Sequence, residues 1–147
     1  MRYLVCIVLL AITATAFGHN YTVAPILVIH GISADCDYGI VDSLKENFET
    51  HVDCDPIGGG EAKLASWLYN INYEGKLLCD WLHTQEDYKH GNFSIMGISQ
   101  GSVVLKYVLE YCPFEQPIRS VVTFGGPHMG VSAAPRFPRE DILGWLF

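Results

Sequence analysis

Short apolar runs alternate with amphipathic stretches along the chain, and their order predicts the architecture. Ile26 to Ile29 is a wholly apolar, β-rich run that ends at His30-Gly31, as expected of a strand buried on both faces of a parallel sheet. Asp37 to Phe48 reads as a helix whose stripe is Ile40, Val41, Leu44 and Phe48. Val52 to Ile57 forms a second strand, its apolar content diluted by Asp53 and Asp55, and Gly58-Gly59-Gly60 is a connection. Glu61 to Leu68 is helical and runs into an aromatic stretch with Trp67, Tyr69 and Tyr73; Gly75 separates this from a further helix over Lys76 to Leu82. Phe93 to Met96 is a strand, and Ser99 to Tyr111 is a helix with the stripe Val103, Val104, Tyr107, Val108 and Tyr111. Pro113 and Pro117 bracket a loop, and Ile118 to Phe124 is another apolar strand ending at Gly125-Gly126. Beyond Gly126 the chain is loop-like and proline-rich until Ile142 to Phe147. Strand, helix, strand, helix, strand predicts an α/β sheet with right-handed crossovers. No repeat or linker divides it.

Composition narrows the compartment and the partners. Half of the 147 residues are apolar and the net charge is −7, which fits a folded core and excludes a nucleic-acid surface. Residues 1–18 read as a signal peptide: Arg2, then the apolar run Leu4 to Ala11, then small residues up to Gly18, with cleavage after Gly18 or after Ala16. Residues 19–147 are then the mature chain, and no later segment is long enough to span a bilayer. Cys6 leaves with the signal, and Cys36, Cys54, Cys79 and Cys112 remain. Their spacing does not suit a zinc site, no metal or cofactor is expected, and three disulfide connectivities are open. Asn20-Tyr21-Thr22 and Asn92-Phe93-Ser94 are candidate glycosylation sites. These features predict passage through the secretory pathway.

The candidate chemistry centres on Gly97-Ile98-Ser99-Gln100-Gly101, which matches the nucleophile elbow. A strand that reverses into a helix within a few residues strains the backbone at the serine, and the flanking positions pass too close to neighbouring backbone for side chains. As structure alone, a serine between glycines is a helix N-cap; here the strand before it and the long amphipathic helix after it favour the elbow. His30-Gly31-Ile32 follows the first strand, where an α/β-hydrolase places one donor of its oxyanion hole, so the candidate donors are the N–H groups of Ile32 and Gln100. His30 is expected to serve as a loop residue beside that hole. The fold expected is the N-terminal part of an α/β-hydrolase sheet with covering helices and the C-terminal strands absent. The triad order Ser, Asp, His is not met after Ser99: His128 precedes Asp141, so His128 is read as a loop residue beside the pocket.

Those segments resemble the palmitoyl-protein thioesterases. The resemblance is carried by Gly97-Ile98-Ser99-Gln100-Gly101, Cys112-Pro113, Val122 to Val131, Ile29-His30-Gly31-Ile32 with Cys36, and Pro135-Arg136-Phe137-Pro138. It runs from about Ile26 to Pro138 and is strongest from Met96 onward; Ser102 departs from it, standing where a glycine often follows the elbow. It implies lysosomal α/β-hydrolases of roughly twice this length that cleave long-chain acyl thioesters from protein cysteines, or from acyl-coenzyme A. It also implies Ser99 as nucleophile, Ile32 and Gln100 as oxyanion donors, a Cys79–Cys112 disulfide, and Cys36 with Cys54 as the remaining pair. The family's acid and histidine fall in a C-terminal region beyond this chain. The sequence is therefore expected to be a fragment of an active enzyme, an inactive short paralogue, or a chain whose site a partner chain completes, with a lipase or carboxylesterase as the rival activity.

Overall fold

The computed structural model describes residues 23–36, 39–58 and 61–130. The expected signal peptide, Asn20 and the Pro135–Pro138 segment lie outside them. Eight elements follow one another: β1 Ile26–Ile29, α1 Gly39–Asn47, β2 Val52–Cys54, α2 Ala62–Leu68, α3 Ile71–Leu82, β3 Ser94–Ile98, α4 Gly101–Tyr111 and β4 Ser120–Phe124. The four strands form one parallel sheet in the order β2-β1-β3-β4. This is the α/β architecture expected, consistent with a partial α/β-hydrolase sheet.

Alternation along β1 sorts the core into two layers. Leu27 and Ile29 face α3 and α4, where Leu78, Leu82, Val104, Leu105 and Val108 join Tyr88, Phe93 and Ile95 in one buried cluster. Ile26 and Val28 face the other way and meet Val41, with Ile40 and Leu44 of α1 packed alongside. A strand buried on both faces needs no polar alternation, which is why β1 reads as an unbroken apolar run. All five residues of β4 are exposed, so this strand lies at an open sheet edge among the described residues. Among them, too, no helix is long and apolar enough to cross a membrane.

The chain leaves β1 for β2 on one side of the sheet and later crosses to β3 on the other. The carboxyl ends of β1 and β3 therefore adjoin where the strand order changes direction, the place at which open α/β sheets form binding crevices.

Two disulfides tie the layers. Cys79 pairs with Cys112 and joins the ends of α3 and α4; Cys36 pairs with Cys54 and joins the chain after β1 to the end of β2. The pairs are those the family resemblance implies.

One element departs from the sequence reading. Gly75 was expected to separate two segments, yet α3 runs without a break from Ile71 to Leu82, started by Asn70, whose side chain accepts from the Asn72 N–H. Packing overrides the poor helix propensity of glycine: a Cβ at Gly75 would lie 2.5 Å from Cγ of Tyr107 on α4. Glycine is the residue that lets the two helices touch.

Gly75→Ala sets two effects against each other. Helix propensity favours alanine by about 1 kcal/mol, whereas overpacking a helix contact costs about 1–3 kcal/mol. The clash is with the root of the tyrosine side chain, which cannot swing clear, so denaturant unfolding should show a net loss; a gain of about 1 kcal/mol would mean that α3 and α4 part freely.

Candidate active site

β3 ends at Ile98, and Ser99 turns into α4 with φ +52°, a conformation that non-glycine residues rarely adopt. Ser99 is exposed, and its backbone is pinned from both sides. Its N–H donates to the Phe124 carbonyl at the end of β4 (2.8 Å), and its carbonyl accepts from the Ser102 N–H (3.0 Å). The strain is thus held by hydrogen bonds to elements that flank the turn.

The turn closes only because side chains are missing around it. A Cβ at Gly97 would lie 2.6 Å from the Ser102 Cα, and one at Gly101 would meet the carbonyl oxygens of Ile29 and His30. A Cβ at Gly31 would sit 3.0 Å from Ser99 Cβ and 3.6 Å from Ser99 Oγ. The loop after β1 therefore lies directly against the serine. Register brings them together, since Ile29 pairs with Gly97 across the β1–β3 ladder.

Both N–H groups singled out in the sequence, those of Ile32 and Gln100, have no hydrogen-bond acceptor among the described residues. Gly31 and Ala34 close a turn around Ile32, with the Ala34 N–H donating to the Gly31 carbonyl (3.2 Å). Among the described residues no side chain is hydrogen-bonded to Ser99 Oγ. His128 folds back toward Gly126 and Ser102, and its Nε2 lies 3.5 Å from Thr123 Oγ1. Ser102 is wholly buried and donates to the Gly97 carbonyl (2.9 Å), tying the start of α4 back to β3.

A neutral network holds the two halves of the site, and the sequence reading missed it. Gln100 donates through Nε2 to the Ser66 carbonyl on α2 (2.9 Å). The Ser66 hydroxyl accepts from the Ser33 N–H (2.9 Å) and donates to the Lys63 carbonyl (2.7 Å). Trp67 donates through its indole N–H to Ser33 Oγ (2.5 Å). So α2 anchors the loop after β1 and the residue after Ser99 at once. No motif marks this role; Ser66 and Trp67 carry only the pattern of an amphipathic helix.

A group of buried titratable side chains lies near the end of β1. His30, Asp55 and Glu74 are all buried. Burial pushes the Asp55 carboxyl up to about 6, against the pull of the Ile57 N–H and His30. Burial, with Asp55 beside it, raises Glu74 to about 7.

Cys79, His83 and Cys112 bring their ligand atoms within 4.8 Å of one another. Both sulfurs are joined in the disulfide, and His83 Nε2 meets the Pro113 carbonyl at 2.8 Å, so this grouping fits a covered disulfide better than a metal centre.

Gly101→Ala places a methyl group against two backbone carbonyls that no rotamer change can relieve. It should destabilise the chain by more than about 2 kcal/mol, read by chemical denaturation. An unchanged midpoint would mean that β1 and the elbow are not in close contact.

The sequence pattern of the family described as palmitoyl protein thioesterase matches residues 25–144. Palmitoyl-protein thioesterase 1 of Caenorhabditis elegans is 30% identical over 97% of this chain and 50% of its own length. A palmitoyl-protein thioesterase-dolichyl pyrophosphate phosphatase fusion of Schizosaccharomyces pombe is 33% identical over 43% of this chain and 11% of its own. The chain thus spans about half the length of the worm relative. On the extent of the family match and the parallel sheet that carries it, the chain belongs to the palmitoyl protein thioesterase family.

Proposed function

We propose that the chain carries the nucleophile half of a serine hydrolase that cleaves long-chain acyl groups from protein cysteines. One observation carries the reading: the exposed Ser99 hydroxyl lies against a loop and a helix start whose two N–H groups, Ile32 and Gln100, have no partner among the described residues. Such donors serve an oxygen that becomes negative during reaction.

In this reading Ser99 Oγ attacks the thioester carbonyl carbon and its proton passes to a base. The carbonyl oxygen takes the negative charge and is held by the Ile32 and Gln100 N–H groups. The C–S bond breaks, the cysteine thiol leaves with a proton, and an ester on Ser99 remains. Water then adds to that ester and releases the fatty acid and the Ser99 hydroxyl. The base and its acid partner come from outside the described residues. The acyl donors are S-acylated proteins or peptides, or acyl-coenzyme A. A lipase or carboxylesterase would share the elbow and differ in the acyl groove.

A second reading, a chain that has the elbow without turnover, is favoured by the absence of any imidazole or carboxylate on Ser99 Oγ among the described residues. Hydrolysis of a palmitoyl thioester by the protein as expressed in its own cells separates the two. Ser99→Ala should lower kcat by about 10⁴-fold or more with the fold intact. A rate that survives the substitution ends the hydrolase reading. Faster turnover of a triglyceride than of the thioester would favour the lipase.

We further propose residues 1–18 as a signal peptide, residues 19–147 as the hydrolase part, and passage through the secretory pathway to the lysosome or the exterior. Asn92 supports this: it is exposed, with φ +60°, on the turn before β3. Its glycan should be removable by an endoglycosidase, with a mobility shift that Asn92→Gln abolishes; no shift in the wild type would remove Asn92 as an acceptor.

A further inference from the structure

Three buried titratable side chains influence one another near the carboxyl end of β1. His30 follows β1, Asp55 follows β2 and Glu74 lies in the first turn of α3. They are almost sealed from water, with exposures of 2%, 2% and 3%. Each keeps one polar atom without a hydrogen-bond partner: His30 Nε2, Asp55 Oδ2 and Glu74 Oε2. Buried polar atoms are seldom left so, and three in one place call for a common explanation.

The other polar atoms of His30 and Asp55 bond to the backbone around them. His30 Nδ1 lies 3.1 Å from the Gly31 carbonyl, within the loop that carries Ile32. Asp55 Oδ1 accepts from the Ile57 N–H (2.9 Å), and the Asp55 N–H donates to the Val28 carbonyl on β1 (2.8 Å). Asp55 is drawn on by His30, and Glu74 is pressed by Asp55. The other charged groups nearby are engaged elsewhere. Lys63 of α2 pairs with Asp35, Lys76 of α3 with Asp80, and Lys106 of α4 with Glu110. Tyr107 of α4 packs over Gly75, next to Glu74.

We propose that Asp55 and Glu74 are positioning residues: carrying their protons, they hold His30 and the Gly31–Ile32 donor loop in its competent form, and loss of a proton to water releases that loop. The inference rests on the reading of Ile32 as an oxyanion donor. A neutral carboxyl has an O–H to donate, so it can satisfy a neighbouring lone pair; two carboxylates have none. The elevated carboxyls point the same way. Both titrate higher in the folded chain than in the unfolded one, so the folded chain binds more protons between the ordinary carboxylate range and about 7. Stability from this cluster is complete below that range and declines as pH rises through about 6 to about 7.

The test is a pH titration of Trp67 emission in the full-length protein, isolated by difference against Trp67→Phe. Trp67 reports on the loop through its bond to Ser33. The wild type should show a transition between about 6 and about 7, with a melting temperature that falls over the same range. Glu74→Gln supplies a permanently neutral group of the same shape. It should lower the midpoint by about one unit or more, or flatten the transition, and it should melt above the wild type on the alkaline side. Asp55→Asn should move both readouts in the same direction. An unchanged titration in Glu74→Gln overturns the proposal, and so does a Glu74→Gln protein that misfolds or melts below the wild type in acid. Labelling of Ser99 by a fluorophosphonate separates this from the hydrolase reading. Labelling without a Trp67 transition ends the cluster proposal alone. A Trp67 transition that Glu74→Gln removes, with Ser99 never labelled, ends the hydrolase reading and leaves the cluster as a switch of the loop.

Discussion

The structure depends on one close approach, that of the carboxyl end of β1 to the turn at Ser99. Parallel pairing of Ile29 with Gly97 sets the two chain segments side by side, and the next residues must then pass each other with almost no room. Gly31, Gly97 and Gly101 lie where a Cβ would strike backbone or the serine itself. The serine takes a left-handed backbone, and hydrogen bonds to Phe124 and Ser102 hold it there. That contact fixes where the loop after β1 stands relative to the Ser99 hydroxyl.

Two kinds of polar contact stabilise the rim, and they differ in consequence. The network of Gln100, Ser66, Ser33 and Trp67 is neutral and well paired. Each such bond contributes about 1 kcal/mol net and holds a defined geometry over a wide pH range. His30, Asp55 and Glu74 are buried with unpaired atoms, so their contribution depends on protonation. One set keeps the two halves of the site in register, and the other makes part of that register conditional. The disulfides act at both ends of the sheet. With sequence separations of 18 and 33 they restrict the unfolded chain by about 3 and about 4 kcal/mol in the loop-entropy account. One lies beside the loop after β1, and the other clamps the helices at the far end.

Elements with strong local patterns were legible in the sequence, and those set by contacts were not. β1 is an uninterrupted apolar run because both its faces are covered, so its burial could be read directly. The helix after Ser99 was recognisable from its stripe and from the elbow before it. The start of α3 was not, because glycine inside a helix looks like a break until the Tyr107 ring is seen packed against it. Asp53 and Asp55 diluted the pattern of β2, and the strand ends at Cys54. The residue that made the strand ambiguous is one of the buried carboxyls at the rim. Ser66 escaped notice because nothing in an amphipathic helix distinguishes a serine that bonds two loops from one that faces water.

By itself the sequence determined the α/β class, the order of elements and the Ser99 turn with its glycines, because each is written in residues adjacent along the chain. The family resemblance singled out one disulfide pairing among the three that spacing allowed. Only the tertiary structure decided the strand order, the lack of an acceptor for the Ile32 and Gln100 N–H groups among the described residues, the anchoring by α2 and the burial of His30, Asp55 and Glu74. Those depend on which surfaces meet when segments up to tens of residues apart are packed. Distance along the chain carries no record of that meeting.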